Sequence, residues 1–393
     1  MYDELLAEAN TLHERTIDFR RRLHRQPEIG LQLPRTQQAV LAEIEDLGLE
    51  VSTGTTTTSV VATLDGGRPG PTVLLRGDMD ALPLTEDTGL AFASEVDGVM
   101  HACGHDTHVA MLAGAARLLT ARRADLAGRV VFMFQPGEEG FHGARYMLEE
   151  GLLDDPVDAA FALHITSAFR SGTINTRPGP LLASSDTIRI AVHGRGGHAS
   201  APHYGNDPIP VACEIVLALQ TMVTRRVDIF DPAVVTIAHL TAGTTTNIIP
   251  ARADLEGTIR TLSEQTRDSV HALTEQIAAG IGAAHGMEVE VEIEAGYPVT
   301  VNDGGFAEGV HRIATDLLGA DRVEPMEHPI MGAEDWSYVL QRVPGAMAFL
   351  GACPPDLDPD TAPGNHSNLV VFDEAALPTG VATYAAVALA NLG

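Results

Sequence analysis

The amino-acid sequence predicts an α/β fold: a larger domain with a mostly parallel sheet flanked by helices, and a smaller inserted α+β domain with an antiparallel sheet. Two patterns in the 393-residue chain support this. Both ends of the chain alternate short apolar segments with helical segments, whereas the middle alternates single apolar and polar residues. A chain of this length is also more typical of two domains than of one.

The two ends of the chain predict the larger domain, with boundaries 1–182 and 295–393. Strands of a parallel sheet are almost uninterrupted apolar runs because helices cover both faces of the sheet. Four such runs are TVLL at 72–75, RVVFMF at 129–134, DAAFAL at 158–163 and GAMAFL at 345–350. Helical stretches at 109–123 and 143–149 lie between the first three runs.

Residues 183–294 predict the inserted domain. Four segments alternate apolar and polar residues, as half-exposed antiparallel strands do. They are DTIRIAVHG, AVVTIAHL, ARADLEGTIRT and MEVEVEIEAG. Two helices are predicted between them, at about 208–226 and 263–285. The clean alternation leaves one strand edge available for pairing across a two-fold axis, which favours a homodimer.

Composition excludes several functions. A formal net charge of −28 argues against nucleic acids and anionic membranes as partners, because both require clustered basic residues. All 25 basic residues are arginine, so a lysine Schiff base and a P-loop lysine are excluded. The three cysteines are far apart and are expected to be reduced thiols. The charged N-terminal segment lacks a signal-peptide core, and we expect a cytoplasmic protein.

Polar residues follow the predicted parallel strands, at the sheet edge where open α/β sheets bind ligands. The segments are RGDMDALP with Asp78 and Asp80, HACGHDTHVAML with Cys103 and His105, QPGEEG with Glu138 and Glu139, and the strand end at His164 and GNHSN with His366. Taken singly, Cys103 is equally well interpreted as a small buried apolar residue and His164 as structural. Together, thiolate, imidazole and carboxylate are the ligands of borderline-soft divalent metals.

The pair Glu138 and Glu139 suggests how such a site would act. Consecutive side chains of an extended segment point to opposite sides. One carboxylate is therefore able to bind metal while its neighbour exchanges a proton with the water that attacks the substrate. This division favours a hydrolase.

The motifs RGDMDALP, HACGHDTHVAML, QPGEEG, GHAS and MGAEDW occur in this order across nearly the whole chain. Together they resemble the hippurate hydrolase and indole-3-acetyl-amino-acid hydrolase branch of the dinuclear metallo-aminoacylase/carboxypeptidase family. The resemblance implies an amidohydrolase with two metal ions and an inserted dimerisation domain. By motif position, the implied metal ligands are Cys103, His105, Glu139, His164 and His366. Glu138 would be the general base, and Asp80 would orient a ligand. Asp78 stands where other branches have a histidine ligand, and we do not count it as a ligand.

The resemblance also assigns three residues of the inserted domain. It implies that His198 donates a hydrogen bond to the scissile carbonyl, often in the site of the neighbouring subunit. Asn247 and Arg260 would bind the carboxylate of the substrate, and arginine forms bidentate pairs with carboxylates. An exposed strand residue without such a role is the alternative for Arg260. The segment HGRGGHAS lacks the G-x-G-x-x-G spacing of a nucleotide-binding loop.

The expected function is hydrolysis of N-acyl amino acids of N-acetyl, N-benzoyl or indole-acyl type by a homodimer or a higher homo-oligomer. The cofactors would be two divalent ions per subunit, Zn, Mn, Co or Ni. Two alternatives remain open at this point: a carboxypeptidase or dipeptidase with the same dinuclear site, and a non-catalytic metal-binding dimer. Glu138 distinguishes the last alternative, because a protein that only binds metal has no need of an unligated carboxylate beside a ligand.

Overall fold

The computed structural model describes residues 2–392, and it has the α/β fold class that the sequence predicts. The chain forms two compact units. The larger unit contains the chain up to residue 181 together with 301–328 and the segment from 335 onward. The smaller unit contains 182–300 and 329–334. The predicted boundaries lie at 183 and 294, and the segment 329–334 was assigned to the larger domain.

The described residues form sixteen strands and ten α-helices. The strands are β1 Glu50–Thr53, β2 Val60–Asp65, β3 Arg68–Asp78, β4 Ala127–Gln135, β5 Ala159–Arg170, β6 Ile174–Thr176, β7 Gly179–Leu182, β8 Asp186–His193, β9 Gly197–His198, β10 Ala233–Ala242, β11 Ile248–Ile249, β12 Arg252–Thr261, β13 Glu288–Ala295, β14 Thr300–Asn302, β15 Val323–Pro325 and β16 Gly345–Cys353. The helices are α1 Tyr2–Thr11, α2 His13–Arg25, α3 Pro34–Ile44, α4 His105–Thr120, α5 Gly143–Glu149, α6 Pro208–Arg226, α7 Glu264–Ala284, α8 Gly304–Leu318, α9 Ser337–Leu340 and α10 Leu377–Leu392.

The larger unit is built on an eight-stranded sheet with the order β1-β2-β4-β3-β5-β16-β6-β15. Its four central strands, β4, β3, β5 and β16, are parallel neighbours. They contain the four apolar runs of the sequence, and they are almost entirely buried. The antiparallel neighbours β1, β2 and β6 lie toward the two edges.

Two buried helices, α4 and α10, pack against each other within this unit. Gly380 on α10 leaves no room for a side chain, because a Cβ atom there would lie 2.0 Å from the sulfur of Met111 on α4. The segment Glu374–Leu392 has the length and hydropathy of a membrane-spanning helix, but 78% of its most apolar 18-residue stretch is buried inside the protein. Such burial is characteristic of a core helix.

The smaller unit contains a four-stranded antiparallel sheet with the order β10-β12-β8-β13. The four alternating segments of the sequence form these strands. Helices α6 and α7 pack with the sheet around one apolar core, which includes Ile188, Ile190, Ile215, Leu255 and Val270. Asp207 and Ser263 cap the two helices through their side-chain oxygens. The short strands β9 and β11 form a separate antiparallel pair.

Asp186 connects three elements of the smaller unit. Its carboxylate is buried and accepts hydrogen bonds from Arg267 at 2.6 and 3.0 Å and from the backbone N–H of Gly296 at 3.1 Å. The ring nitrogen Nε2 of His271 lies 2.8 Å from the same carboxylate. Burial alone would raise the pKa of Asp186, but the hydrogen bonds of His271 and Arg267 hold that pKa below its ordinary value.

We expect Asp186→Asn to lower the free energy of unfolding of this unit by about 3 kcal/mol at neutral pH, because it removes the buried countercharge of Arg267 and leaves that guanidinium only the more exposed Glu264. The folded-state pKa of Asp186 is lowered, so its stabilising contribution is present above the unfolded pKa of about 3.9 and is lost as the pH falls through the folded pKa. Urea denaturation at pH 7 and in acid would measure both effects.

The matched control is Arg189→Gln on the same strand as Asp186, since Arg189 pairs with Glu294 and both side chains are exposed. This variant should leave the unfolding free energy nearly unchanged, because solvent screens an exposed ion pair. Equal effects of the two substitutions would refute the anchoring role of Asp186.

Candidate metal centre

The turn before α4 carries Cys103 and His105. Gly104 between them has a φ of +88°, in the left-handed region, and a Cβ atom at this position would lie 2.4 Å from a side-chain carbon of Ile165. Only glycine satisfies both conditions without strain. This turn places Cys103 Sγ 3.4 Å from Nε2 of His164 on β5.

The register of the parallel strands brings the remaining polar residues to the same part of the sheet. Arg76 of β3 pairs with Ala162 of β5, so His164 lies level with Asp78. Asp78 in turn pairs with Gln135 at the end of β4, and Glu138 and Glu139 follow in the loop beyond it.

The structure brings together all five predicted ligands and Glu138. Nε2 of His366 lies 3.1 Å from Oε1 of Glu139. Nε2 of His105 lies 4.0 Å from Oε2 of Glu138 and 4.0 Å from Oε1 of Glu139. His105 is fully buried, whereas the side chain of His366 is 56% exposed.

The rings of His105 and His164 are oriented by backbone carbonyl groups. Nδ1 of His105 lies 2.8 Å from the carbonyl oxygen of Asp80, and Nδ1 of His164 lies 2.7 Å from that of Ile165. Because a carbonyl oxygen only accepts hydrogen bonds, both Nδ1 atoms must carry the proton. In the neutral ring the lone pair of Nε2 therefore remains for a metal ion. Burial would lower the pKa of His105, but the charge of Asp78 raises it well above its ordinary value, so a metal ion bound there would displace a proton.

Asp80 also fixes the two glutamates. One oxygen of its carboxylate accepts the backbone N–H of Glu138 at 2.9 Å, and the other accepts that of Glu139 at 3.0 Å. Asp80 therefore positions His105 through its backbone and the two glutamates through its side chain. This is the orienting position that the sequence predicts for Asp80.

The donor atoms fit two metal ions. One group contains Cys103, His105 and His164, and a second contains Cys103, Glu139 and His366; the candidate ligand atoms of each group lie within 4.8 Å of one another. We call these groups the His164 position and the His366 position. Nε2 of His105 is buried without a hydrogen-bond partner of good geometry. Cys103 belongs to both groups, so its thiolate would be within reach of either position.

The electrostatics of the cluster favour bound cations. Burial and the nearby charge of Glu139 raise the pKa of the Cys103 thiol. Hydrogen bonds with Cys103 and Glu139 raise the pKa of His366 to about 10. Burial and the charge of His108 hold the pKa of His164 well below its ordinary value, which keeps this ring neutral as a ligand must be. Metal binding would displace protons from Cys103 and His366.

Sequence reasoning did not identify His108. Its Nδ1 lies 2.5 Å from Oδ1 of Asp78, and its Nε2 accepts the backbone N–H of Ile165 at 2.7 Å. Arg76 also binds Asp78, at 2.9 Å, and the side chains of all three residues are fully buried. Asp78 is thus occupied by Arg76 and His108. One signal was available, since His108 is three residues beyond His105 and shares its helix face.

The smaller unit contains the other three predicted site residues. His198 on β9 pairs with Ile248, and the next residue donates its backbone N–H to the carbonyl oxygen of Asn247 at 3.1 Å. His198 and Asn247 are therefore neighbours. Nδ1 of His198 accepts the backbone N–H of Ser200 at 3.1 Å, so the proton of the neutral ring is on Nε2, which is able to donate.

Arg260 lies elsewhere in this unit. The β9–β11 pair adjoins the end of the sheet where Arg252, the first residue of β12, pairs with His193 of β8. Arg260 is near the last residue of β12, at the other end. At about 3.3 Å per residue, Arg252 and Arg260 are roughly 26 Å apart along the strand. Within one chain the structure does not bring Arg260 together with His198 and Asn247. Arg260 is half-buried, has no hydrogen-bond partner among residues 2–392, and its burial lowers its pKa.

Residues 74–390 match the model of peptidase family M20/M25/M40. The chain belongs to this family. It is 38% identical to thermostable carboxypeptidase 1 of Saccharolobus solfataricus, over 99% of this chain and 98% of that protein. It is 40% identical to an N-acetylcysteine deacetylase of Bacillus subtilis, over 86% of this chain and 88% of that protein.

A solved structure from Bacillus subtilis, described as a dinuclear metal binding peptidase from the M20 family, superimposes with a TM-score of 0.85 at 35% identity. The match covers 98% of this chain and 99% of that one. The resemblance stated from the sequence motifs is thereby confirmed. The chain is a hydrolytic enzyme of the metal-dependent amidohydrolase class, and two metal ions fit both its family and its donor atoms.

The two adjacent glutamates should differ in their response to substitution. Glu138→Gln should retain both ions and lose at least about 100-fold in turnover, because an amide does not exchange the required proton. Glu139→Gln should lose the ion at the His366 position. Elemental analysis of the purified variants together with turnover numbers measures both properties.

The control is Glu149→Gln, which changes an exposed glutamate of α5 and should leave turnover and metal content unchanged. If Glu138→Gln and Glu139→Gln lost metal to the same extent, the division of roles between the two carboxylates would be wrong.

Proposed function

We propose that this enzyme hydrolyses N-acyl amino acids and releases a carboxylate and a free amino acid. The observation that carries the proposal is the half-buried guanidinium of Arg260, which has no hydrogen-bond partner among the described residues. The charge of Asp186 acts on it, but that carboxylate is bound by Arg267. A partly desolvated cation is costly without a countercharge, so an anionic ligand is favoured at this position. The α-carboxylate of an amino acid supplies that charge in bidentate geometry.

The names of the relatives support this substrate class and one other. An N-acetylcysteine deacetylase cleaves an acyl group from an amino acid, whereas a carboxypeptidase cleaves the last residue from a peptide. Both reactions break an amide bond beside a free carboxylate. A carboxypeptidase or dipeptidase activity is therefore the second candidate, and it differs only in the group on the acyl side.

Each proposed catalytic residue has a role that follows from its position. Two bound divalent ions would polarise the amide carbonyl and lower the pKa of water. Glu138, held by Asp80 through its backbone N–H, would take a proton from the attacking water and deliver it to the departing amine. Nε2–H of His198 would donate to the oxygen of the scissile carbonyl, where negative charge develops. Arg260 would hold the carboxylate of the substrate.

These roles require two copies of the chain. An N-acyl amino acid is much shorter than the roughly 26 Å that separates the two ends of β12. His198 and Asn247 of one chain are thus unable to bind the substrate molecule that Arg260 of the same chain binds. We propose a homodimer in which His198 and Asn247 act at the site of the partner subunit.

The edges of the inserted sheet support a particular pairing. The outer strand β13 exposes four glutamates, Glu288, Glu290, Glu292 and Glu294, and such charges discourage pairing at that edge. The opposite outer strand, β10, has exposed Val234 and Leu240, and the preceding loop exposes Phe230 at 90%. Antiparallel pairing of two β10 strands would place the His198 end of one sheet beside the Arg260 end of the other.

A substrate panel tests the proposed function. N-acetyl, N-benzoyl and indole-3-acetyl amino acids and dipeptides are each compared with the matching carboxamide, which lacks the free carboxylate. The carboxylate forms should have values of kcat/KM at least about tenfold higher, because a charge-assisted hydrogen bond contributes about 1.5 to 3 kcal/mol. Arg260→Gln should abolish this difference. Preferential hydrolysis of the dipeptides would favour the second candidate.

The control for this panel is Arg252→Gln, because Arg252 lies on the same strand but is exposed and paired with Asp254. It should retain the preference for the free carboxylate. Equal hydrolysis of the carboxylate and carboxamide forms by the wild-type enzyme would overturn the proposed substrate class.

Mixing two inactive variants tests the proposed dimer. In a mixed dimer of Glu138→Ala and His198→Ala chains, the metal centre of the His198→Ala chain has its own Glu138 and receives His198 of the partner subunit. One of its two sites is complete. Random exchange makes about half of the dimers mixed, so activity should recover to about a quarter of the wild-type value. No recovery despite demonstrated subunit exchange would show that His198 acts at the site of its own chain.

A further inference from the structure

Asn365 connects three segments of the metal centre. Its side-chain amide donates hydrogen bonds to the carbonyl oxygens of Cys103 and Ile165, each at 3.0 Å. Cys103 is itself a candidate ligand, Ile165 follows the candidate ligand His164, and Asn365 immediately precedes His366. One side chain therefore contacts or adjoins all three ligand-bearing segments.

His366 depends on this contact more than the other ligands do. It has a φ of +69°, which is strained for a residue with a side chain, and it lies on an irregular loop with its side chain more than half exposed. Such a conformation is energetically unfavourable and persists where surrounding contacts determine it. Here those contacts are the two bonds of Asn365 and the bond from the N–H of His366 to the carbonyl oxygen of Ala102 at 2.9 Å.

The two histidine ligands of the His164 position have supports other than Asn365. His105 is fully buried in the first turn of α4 and is hydrogen-bonded to the backbone of Asp80. His164 lies within β5, and the N–H of the following residue is bound by His108. Loss of Asn365 would leave these supports in place. Because Cys103 belongs to both positions and would lose the bond to its carbonyl, both positions should respond, but the larger effect should fall on His366.

We infer that Asn365 is a positioning residue that sets the affinity of the His366 position for its metal ion and has a much smaller effect on the His164 position. The inference rests on the proposed ligand set. It concerns the donor groups of Asn365, because each of its two amide protons is used by a different carbonyl oxygen.

Titration of the metal-free protein with Co²⁺ tests the inference, with calorimetry for the two affinities and thiolate-to-cobalt absorption to follow Cys103. Asn365→Ala should weaken the binding of one ion about ten- to hundredfold and that of the other by a much smaller factor. Asn365→Asp should have the same effect, because it retains the shape of asparagine but has no amide donors. His366→Ala identifies the affected position, since it should lose that same ion.

Asn302 provides a matched control. It is a buried asparagine of the same unit, and its amide likewise donates to two carbonyl oxygens, those of Arg177 at 2.9 Å and Met347 at 3.0 Å. It bonds to no predicted ligand. Asn302→Ala should lower the thermal stability and leave both metal affinities unchanged, which separates loss of stability from loss of positioning.

The possible outcomes distinguish this inference from the ligand assignment. If the wild type binds two ions and His366→Ala loses one, but both Asn365 variants bind both normally or weaken both equally, Asn365 does not have this role. If the wild type binds fewer than two ions, or His366→Ala retains both, the ligand assignment itself is wrong and the inference fails with it.

Discussion

The geometry of the metal centre depends on the hydrogen bonds that Asp80 accepts. Its carboxyl group accepts the backbone N–H groups of Glu138 and Glu139, while the backbone carbonyl of the same residue fixes the tautomer of His105. Charge-assisted bonds to backbone N–H groups are stronger than neutral ones, and they hold both glutamates without using their side chains. The two side-chain carboxylates therefore remain available for a metal ion and for proton transfer.

A second buried network lies behind this centre. Arg76 is fully buried in β3 between Asp78 and Asp335, at 2.9 and 3.2 Å, and Asp335 also accepts hydrogen bonds from Gln135 and from the N–H of Ala144. A buried arginine is tolerable only where carboxylates balance its charge. The network joins the ends of β3 and β4 to the start of α5, and so it fixes both ends of the loop that contains Glu138 and Glu139.

Local patterns predicted what depends on neighbours in the sequence. The apolar runs gave the central strands, alternation gave the strands of the inserted sheet, and the helix at 208–226 has the predicted ends. The ligand set came from motifs rather than from periodicity. By contrast, the partner of Arg76 is 259 residues away in Asp335, and Asn365 bonds to Cys103 across 262 residues. Sequence periodicity carries no information about contacts between residues so far apart in the chain. The residues that position the ligands could therefore be identified only from the folded structure.

The same limit applies to Asn247 and Arg260, which the motifs assigned to one carboxylate but which lie toward opposite ends of the inserted sheet in one chain. The proposed homodimer would resolve the difference, because a two-fold axis brings opposite ends of two identical sheets together. The net charge of −28 does not oppose an anionic substrate in such a site, since charges more than about 8 Å away are largely screened at physiological ionic strength. Two divalent ions and the unpaired Arg260 would determine the local field. In the proposed dimer, recognition of the carboxylate and polarisation of the amide thus come from different subunits, and each metal centre is complete only in the assembled enzyme.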